Sequence, residues 1–100
     1  MARYVQELAE FHELTPTTLG DPDALAAVLV AAAGAMGLAA LGPPVVRRGP
    51  RGLAASLICD DGHIVLHTSP DEGYCLMDVV AGTGSAAGRG AEVIARRLGA

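Results

Sequence analysis

The sequence predicts an α+β two-layer sandwich, an antiparallel sheet with two helices on one face. Three observations carry this. The stretch from Leu53 to Ala81 reads as three consecutive strands joined by turn formers. A segment after Asp21 has helical periodicity with start and stop signals. A second, weaker helical pattern follows Ser85, so strand, helix, strands and helix come in that order, without the alternation of a parallel α/β protein.

Arg3 to Leu14 is ambiguous in period: Val5, Leu8, Ala9 and His12 suit a helix, whereas Tyr4 and Phe11 suit a strand. An edge or second strand is expected, stopped by Thr15-Pro16-Thr17-Thr18. Asp21-Pro22-Asp23 then supplies a capping carboxylate, a proline at the first helical position and negative charge at the positive end of the dipole. Leu25, Val28, Leu29, Ala32 and Met36 recur on one face, and Gly37 closes the helix.

Gly42-Pro43-Pro44 breaks the chain, and Val45 to Arg48 suits a short strand before the Gly49-Pro50-Arg51-Gly52 loop. Leu53–Cys59 and the run 63–69 flank Asp60, Asp61 and Gly62; an Asp-Gly pair between apolar runs marks a hairpin. A third strand, Tyr74 to Ala81, follows the Ser-Pro-Asp-Glu-Gly turn. These strands are apolar on both faces, Ile64 and Leu66 on one and Val65 on the other, so both faces are expected to be covered. Ser85 is a candidate cap for a last helix with Ala87, Ala91, Ile94 and Leu98 on one side.

With 100 residues the chain makes one domain, 1–100. It is 51% hydrophobic, but much of that is alanine, and there are only one Phe, two Tyr and no Trp. A thin core that partner chains supplement is expected. The net charge of -4 and the single basic cluster, Arg47, Arg48 and Arg51, argue against a nucleic-acid partner. The longest apolar run, Ala24 to Ala33, is about half of the ~20 residues a bilayer span needs, so no membrane association is expected. Cys59 and Cys75 are not a disulfide framework, and no signal peptide precedes the first strand; a reduced, cytoplasmic protein is the default.

Among residues with chemical potential, His63 and His67 share a face of a strand but stand about 13 Å apart at ~3.3 Å per residue, too far to chelate one metal ion. Cys59 near Cys75 or a histidine would be an activated thiol; inert packing is the alternative. Asp60, Asp61, Asp71 and Glu72 are ion ligands, bases or, as is usual at a turn, only turn formers. Gly82-Thr83-Gly84-Ser85 lacks the lysine and spacing of a phosphate loop and reads as a connector.

The segment GHIVLHTSPDEGYCLMDV resembles the signature of the prokaryotic S-adenosylmethionine decarboxylase proenzymes, roughly E-S-H-L-x-I-H-T-W-P-E-x-G-Y-x-x-x-D. His63, His67, Thr68, Pro70, Gly73, Tyr74 and Asp78 fall on matching positions without a gap, and Asp61 and Asp71 fall on the two glutamates. Ala9-Glu10-Phe11 is similar to that family's first strand, and the helix from Pro22 falls where its first helix does. The resemblance implies a proenzyme that cuts itself at a Glu-Ser bond, the serine becoming a pyruvoyl group that forms a Schiff base with the substrate amine. It also implies a homodimer with two sheets facing each other.

At the serine position this chain has Gly62, which has no hydroxyl to attack the preceding carbonyl or to be eliminated. The helper serine aligns with Ala54, the catalytic cysteine with Gly82 and the motif tryptophan with Ser69. Only His67, at the processing histidine, is retained. The expectation is a homologue that forms no pyruvoyl cofactor. It would be a small-ligand-binding, regulatory or partner subunit, related to polyamine metabolism and working alone or beside an active paralogue. Thr68, Asp71, Tyr74 and Cys75 would line a pocket for an amine or adenosyl ligand. The alternatives are an enzyme of other chemistry using His63 and His67, or a decarboxylase whose electron sink comes from elsewhere.

Overall fold

The structure, a computed structural model, describes residues 3–100. In chain order the elements are β1 (Tyr4–Phe11), α1 (Pro16–Leu19), α2 (Pro22–Met36), β2 (Val45–Arg48), β3 (Leu53–Cys59), β4 (Gly62–Ser69), a 3-10 turn (Pro70–Glu72), β5 (Tyr74–Gly82) and α3 (Ala87–Leu98). The strands form one antiparallel sheet in the order β1-β5-β4-β3-β2. The central meander β3-β4-β5 is the segment whose hairpin signals are strongest, and β1 is an edge strand as expected.

The cap at Asp21 forms: its Oδ1 accepts from the amides of Asp23 (3.0 Å) and Ala24 (3.3 Å). Gly37, at φ 74°, ends α2 in the left-handed conformation that glycine adopts without steric cost. Leu25, Val28, Leu29, Ala32 and Met36 are all buried against the sheet and α3. In α3 the expected cap is displaced. Ala86, not Ser85, precedes the helix and makes no side-chain cap, because Ser85 closes a turn by donating its amide to the Gly82 carbonyl at 2.8 Å. Gly90 in α3 lies against Met36: a Cβ there would come within 2.6 Å of the Met36 Sδ. Glycine costs an isolated helix roughly 1 kcal/mol relative to alanine, but here it allows the close approach of α2 and α3.

Thr15 to Thr18, expected only to stop β1, leads into α1, a single turn with Pro16 at its first position. Its Leu19 is fully buried. The turn survives because its end is tied to the sheet: the Thr68 hydroxyl donates to the Leu19 carbonyl (2.7 Å) and accepts from the Leu53 amide (3.1 Å).

Register divides the sheet into two faces. Ala55, Leu66 and Met77 stand side by side on the helix-covered face, as do Leu57, Ile64 and Val79, and all six are buried. On the other face Ala54, His67 and Leu76 form one row and Ile58, His63 and Val80 another. No element of the described chain packs there as the helices do on the first face. Ile58 is 57% exposed and Leu8, across β5 on β1, 64%. Coverage of both faces is therefore not achieved within the single described chain.

Candidate functional site

Most of the candidate site residues lie at the two ends of the open sheet face, with Thr68 and Cys75 turned to the helix side. One end is the β3–β4 hairpin. Asp60 anchors it by donating its amide to the Ala39 carbonyl (2.9 Å) and accepting from the Ala39 amide on its carboxylate (3.2 Å). The Asp61 carbonyl accepts from the Gly82 amide at 2.9 Å, which joins the hairpin to the end of β5. Gly62 stands at φ 157°, and a Cβ built on it would overlap the Val80 carbonyl oxygen. A Cβ on Gly82 would overlap the Asp61 carboxylate. Two of the positions that depart from the family pattern are thus spatial neighbours, and the Asp61 side chain occupies the room that a side chain at 82 would need. Beside it, Tyr4 starts β1 opposite Gly82. A hydrogen bond to the Asp61 carboxylate, aided by its negative charge, raises the Tyr4 pKa above its ordinary value.

His63 follows on the same face, its Nε2 4.0 Å from Asp78 Oδ2. The other oxygen of Asp78 accepts from Gln6 Nε2 at 2.8 Å. A glutamine of β1, an aspartate of β5 and a histidine of β4 thus form a line across three strands.

The second end is a cleft of about 430 Å³ over the far end of β3, β4 and β5, walled by the 49–52 loop and the 70–72 turn. Its lining includes Arg51, Ala54, His67, Glu72, Tyr74 and Leu76. Tyr74 meets the ring of His12 edge-on at 5.4 Å. Partial burial, followed by hydrogen bonding to Glu10, raises the Tyr74 pKa. Glu72 accepts from the Ser69 hydroxyl at 3.2 Å.

Of the residues singled out for ligand binding, Tyr74 lines the cleft, and Thr68 borders it with its hydroxyl turned inward and committed to Leu53 and Leu19. Asp71 is exposed on the turn. Cys75 is fully buried on the helix side of the sheet, where burial pushes its thiol up to about 12. Burial, and then the charge of Asp60, raises the Cys59 thiol as well. Neither cysteine is therefore an activated thiolate, and inert packing is the alternative that holds. They also sit at opposite ends of the sheet, Cys59 paired with Gly62 and Cys75 with Thr68. His63 and His67 share the open face, apart from each other as their spacing requires. Among the described residues no group of three or more His, Cys, Asp or Glu side chains is disposed to hold a metal ion.

Sequence reasoning missed Gln6, Tyr4, His12 and Glu10, because what brings β1 against β5 is a pairing between residues some seventy positions apart. Arg51 enters the sequence reading in a basic triplet and in the Gly49-Pro50-Arg51-Gly52 loop, and neither ties it to a site. The Gly-Pro-Arg-Gly turn was the signal that could have placed it beside a site.

Fold and face together define the class: a two-layer α+β protein whose polar residues cluster at the ends of an open antiparallel sheet. The family model described as S-adenosylmethionine decarboxylase matches residues 5–100, and the chain belongs to that family. Its fold is similar to the crystal structure of the adenosylmethionine decarboxylase from Aquifex aeolicus VF5. The TM-score is 0.86 at 21% identity, over 97% of this chain and 81% of that one. No curated protein matches the sequence significantly. Among the described residues no helix is long and apolar enough to cross a membrane.

Proposed function

We propose that this chain is a member of the S-adenosylmethionine decarboxylase family that does not process itself. In this reading it serves as a ligand-binding, regulatory or partner subunit related to polyamine metabolism, in a reduced cytoplasm. The observation that carries the reading is Gly62. A pyruvoyl group is made from a serine, and the residue at the aligned position has neither the hydroxyl nor room for a Cβ beside Val80. The residues present do not fit that group. Ala54 and Gly82, at the positions of the helper serine and the cysteine, support the same reading.

The retained His67 is five residues along β4 from Gly62, about 16 Å at ~3.3 Å per residue. Within one chain no single small group can touch both ends of the face. Two open faces stacked about a two-fold axis with opposed strands would put the hairpin end of one chain over the cleft end of the other. We therefore read the protein as a homodimer. The exposed Ile58 and Leu8 and the half-buried Val65 and Val80 would form the interface. A small amine or adenosyl ligand would sit in the cleft at His67 and Tyr74.

A second reading is an enzyme of other chemistry at the inherited site. It is favoured by the His63–Asp78–Gln6 line, in which a carboxylate held by an amide stands 4.0 Å from an imidazole, a gap that must close or be bridged for proton transfer.

Native mass spectrometry of freshly purified protein, followed by denaturing spectra, tests the first reading. The expected result is one intact chain near 10.1 kDa, assembled as a dimer. Two fragments split near Asp61 would overturn it and restore self-processing. For the second reading, an activity that survives in Asp78→Asn would remove His63 and Asp78 from the chemistry.

A further inference from the structure

The two edges of the sheet are built differently. β2 is four residues long, follows Pro43 and Pro44, and carries Arg47 and Arg48, the short, proline-flanked and charged form of an edge that resists pairing. β1 is eight residues long, contains neither proline nor glycine, and pairs with β5 one residue to one, without a bulge. Among the described residues β5 is its only strand partner, so its outer side is free along its length.

The ladder fixes which backbone groups are free. The Thr83 amide donates to the Arg3 carbonyl at 3.0 Å, and bonded pairs recur at every second residue of an antiparallel ladder. Val5, Glu7, Ala9 and Phe11 therefore bond β5, and the amides and carbonyls of Tyr4, Gln6, Leu8 and Glu10 point outward.

Beside this edge, on the helix side of the sheet, α3 stands off β1 and leaves a groove of about 370 Å³. Gly88, Ala91 and Ala95 line its α3 side and are too small to fill it, and Ala9, Phe11 and Met77 make the other side apolar. Glu7 and Glu92 also border it. Glu7 reaches towards α3: its Oε1 lies 3.7 Å from where a Cβ on Gly88 would stand. Among the described residues neither carboxylate has an ion-pair partner within 4.0 Å. An apolar groove bordered by carboxylates suits a hydrocarbon stem that ends in a cation, the form of lysine and arginine side chains. The same acids disfavour a second β1, because pairing two such edges would set acidic strands side by side.

We propose that β1 is a docking edge for an extended basic segment of another protein, added antiparallel as a sixth strand, with every second residue a lysine or arginine whose side chain enters the groove. Residues of such a strand that bond β1 share the face of Tyr4, Gln6, Leu8 and Glu10, and the alternate residues face the helices. The cationic residues are thus the ones that do not bond β1. The edge lies apart from the cleft and from position 62, so the inference is independent of self-processing and of any small ligand.

The probe is a fluorescently labelled octapeptide of alternating lysine and valine, titrated by anisotropy into the full chain. Two further forms of equal charge are N-methylated at every valine or at every lysine. Methylation at valine blocks the amides that face β1, whereas methylation at lysine leaves them free. The valine-methylated form is expected to bind at least about tenfold more weakly than the lysine-methylated one, since several backbone hydrogen bonds are lost. Glu7→Gln should weaken the unmethylated peptide about two- to fivefold, the usual effect of one exposed charge contact, with a circular dichroism melt to check folding. An alternating glutamate and valine octapeptide should not bind. Equal binding of the two methylated forms would reduce the contact to charge attraction and overturn the strand addition, as would no binding of the lysine peptide at all. Unchanged affinity in Glu7→Gln, or equal binding of the glutamate peptide, overturns the basic partner. Growth of the protein alone into assemblies larger than a dimer, reversed by the lysine peptide, would give the edge to a second copy instead and overturn the proposal.

Discussion

Gly62 faces the carbonyl oxygen of Val80 across the β4–β5 ladder so closely that no side chain fits between them. Position 62 therefore has no room for a Cβ where it stands, and glycine brings no hydroxyl there. Gly62→Ser alone is expected to leave the chain uncut, because the new Cβ must push the hairpin away from β5. It should also destabilise the protein by about 1–3 kcal/mol, the usual range for overpacking. Denaturing mass spectra and a thermal melt of the variant read both effects. Two fragments from this single substitution would show that the hairpin yields readily and that only the hydroxyl is missing.

Gly82 and the Asp61 carboxylate share one volume in the same sense. A Gly82→Cys variant is expected to expel the Asp61 side chain from its position beside Tyr4. The Tyr4 phenol then loses the partner that raises its pKa, and its titration, followed by ultraviolet absorbance, should move down towards the ordinary tyrosine value. An unchanged Tyr4 titration would mean that Asp61 adapts without leaving.

The open sheet face supplies the dimer prediction. Ile58 stands near its hairpin end beside His63 and is 57% exposed in the single chain. Ile58→Asp places a charge where apolar surface would be covered, and sedimentation velocity at micromolar concentration should show monomers with an unchanged circular dichroism spectrum. Wild-type protein sedimenting as a monomer under the same conditions would refute the dimer itself.

Thr68 stitches three segments together through one hydroxyl. Thr68→Val keeps the shape but leaves the Leu19 carbonyl and the Leu53 amide without that partner. A loss of about 1–3 kcal/mol is expected, with much of it recovered by Thr68→Ser. Equal stability of the valine variant in urea unfolding would show that α1 contributes nothing to the fold.

Cys75 sets an alkaline limit. Its thiol is raised from the usual 9.0 to about 12 by burial, so the folded state keeps a proton that the unfolded chain releases. Between these values the unfolded state binds fewer protons, and stability falls as pH rises, by up to about 1.4 kcal/mol per pH unit. Below pH 9 this group contributes no slope. Cys75→Ala should lower stability at neutral pH yet flatten the decline above pH 9 in urea unfolding; an equally steep decline would assign it to other groups.

What the sequence determined by itself is local. The cap at Asp21, the stop at Gly37, the turn at 60–62 and the alternation along β3 to β5 are written within a few residues of where they act. Short-range backbone and side-chain preferences fix them. The resemblance in residues 62–79 placed the family on the same local ground. Ser85 and the turn at Pro16 were misjudged because a carbonyl on Gly82 and a hydroxyl on Thr68, distant or competing partners, decide those ends. Only the tertiary structure decided which face stays open and that Asp78 joins Gln6 to His63. It alone brought Arg51 and Glu72 into the lining of one cleft, left no room for a Cβ at 62 and put the Asp61 carboxylate where a side chain at 82 would stand. Each of these depends on strand register and on close approach between segments far apart in the chain, and no local preference encodes such a distance.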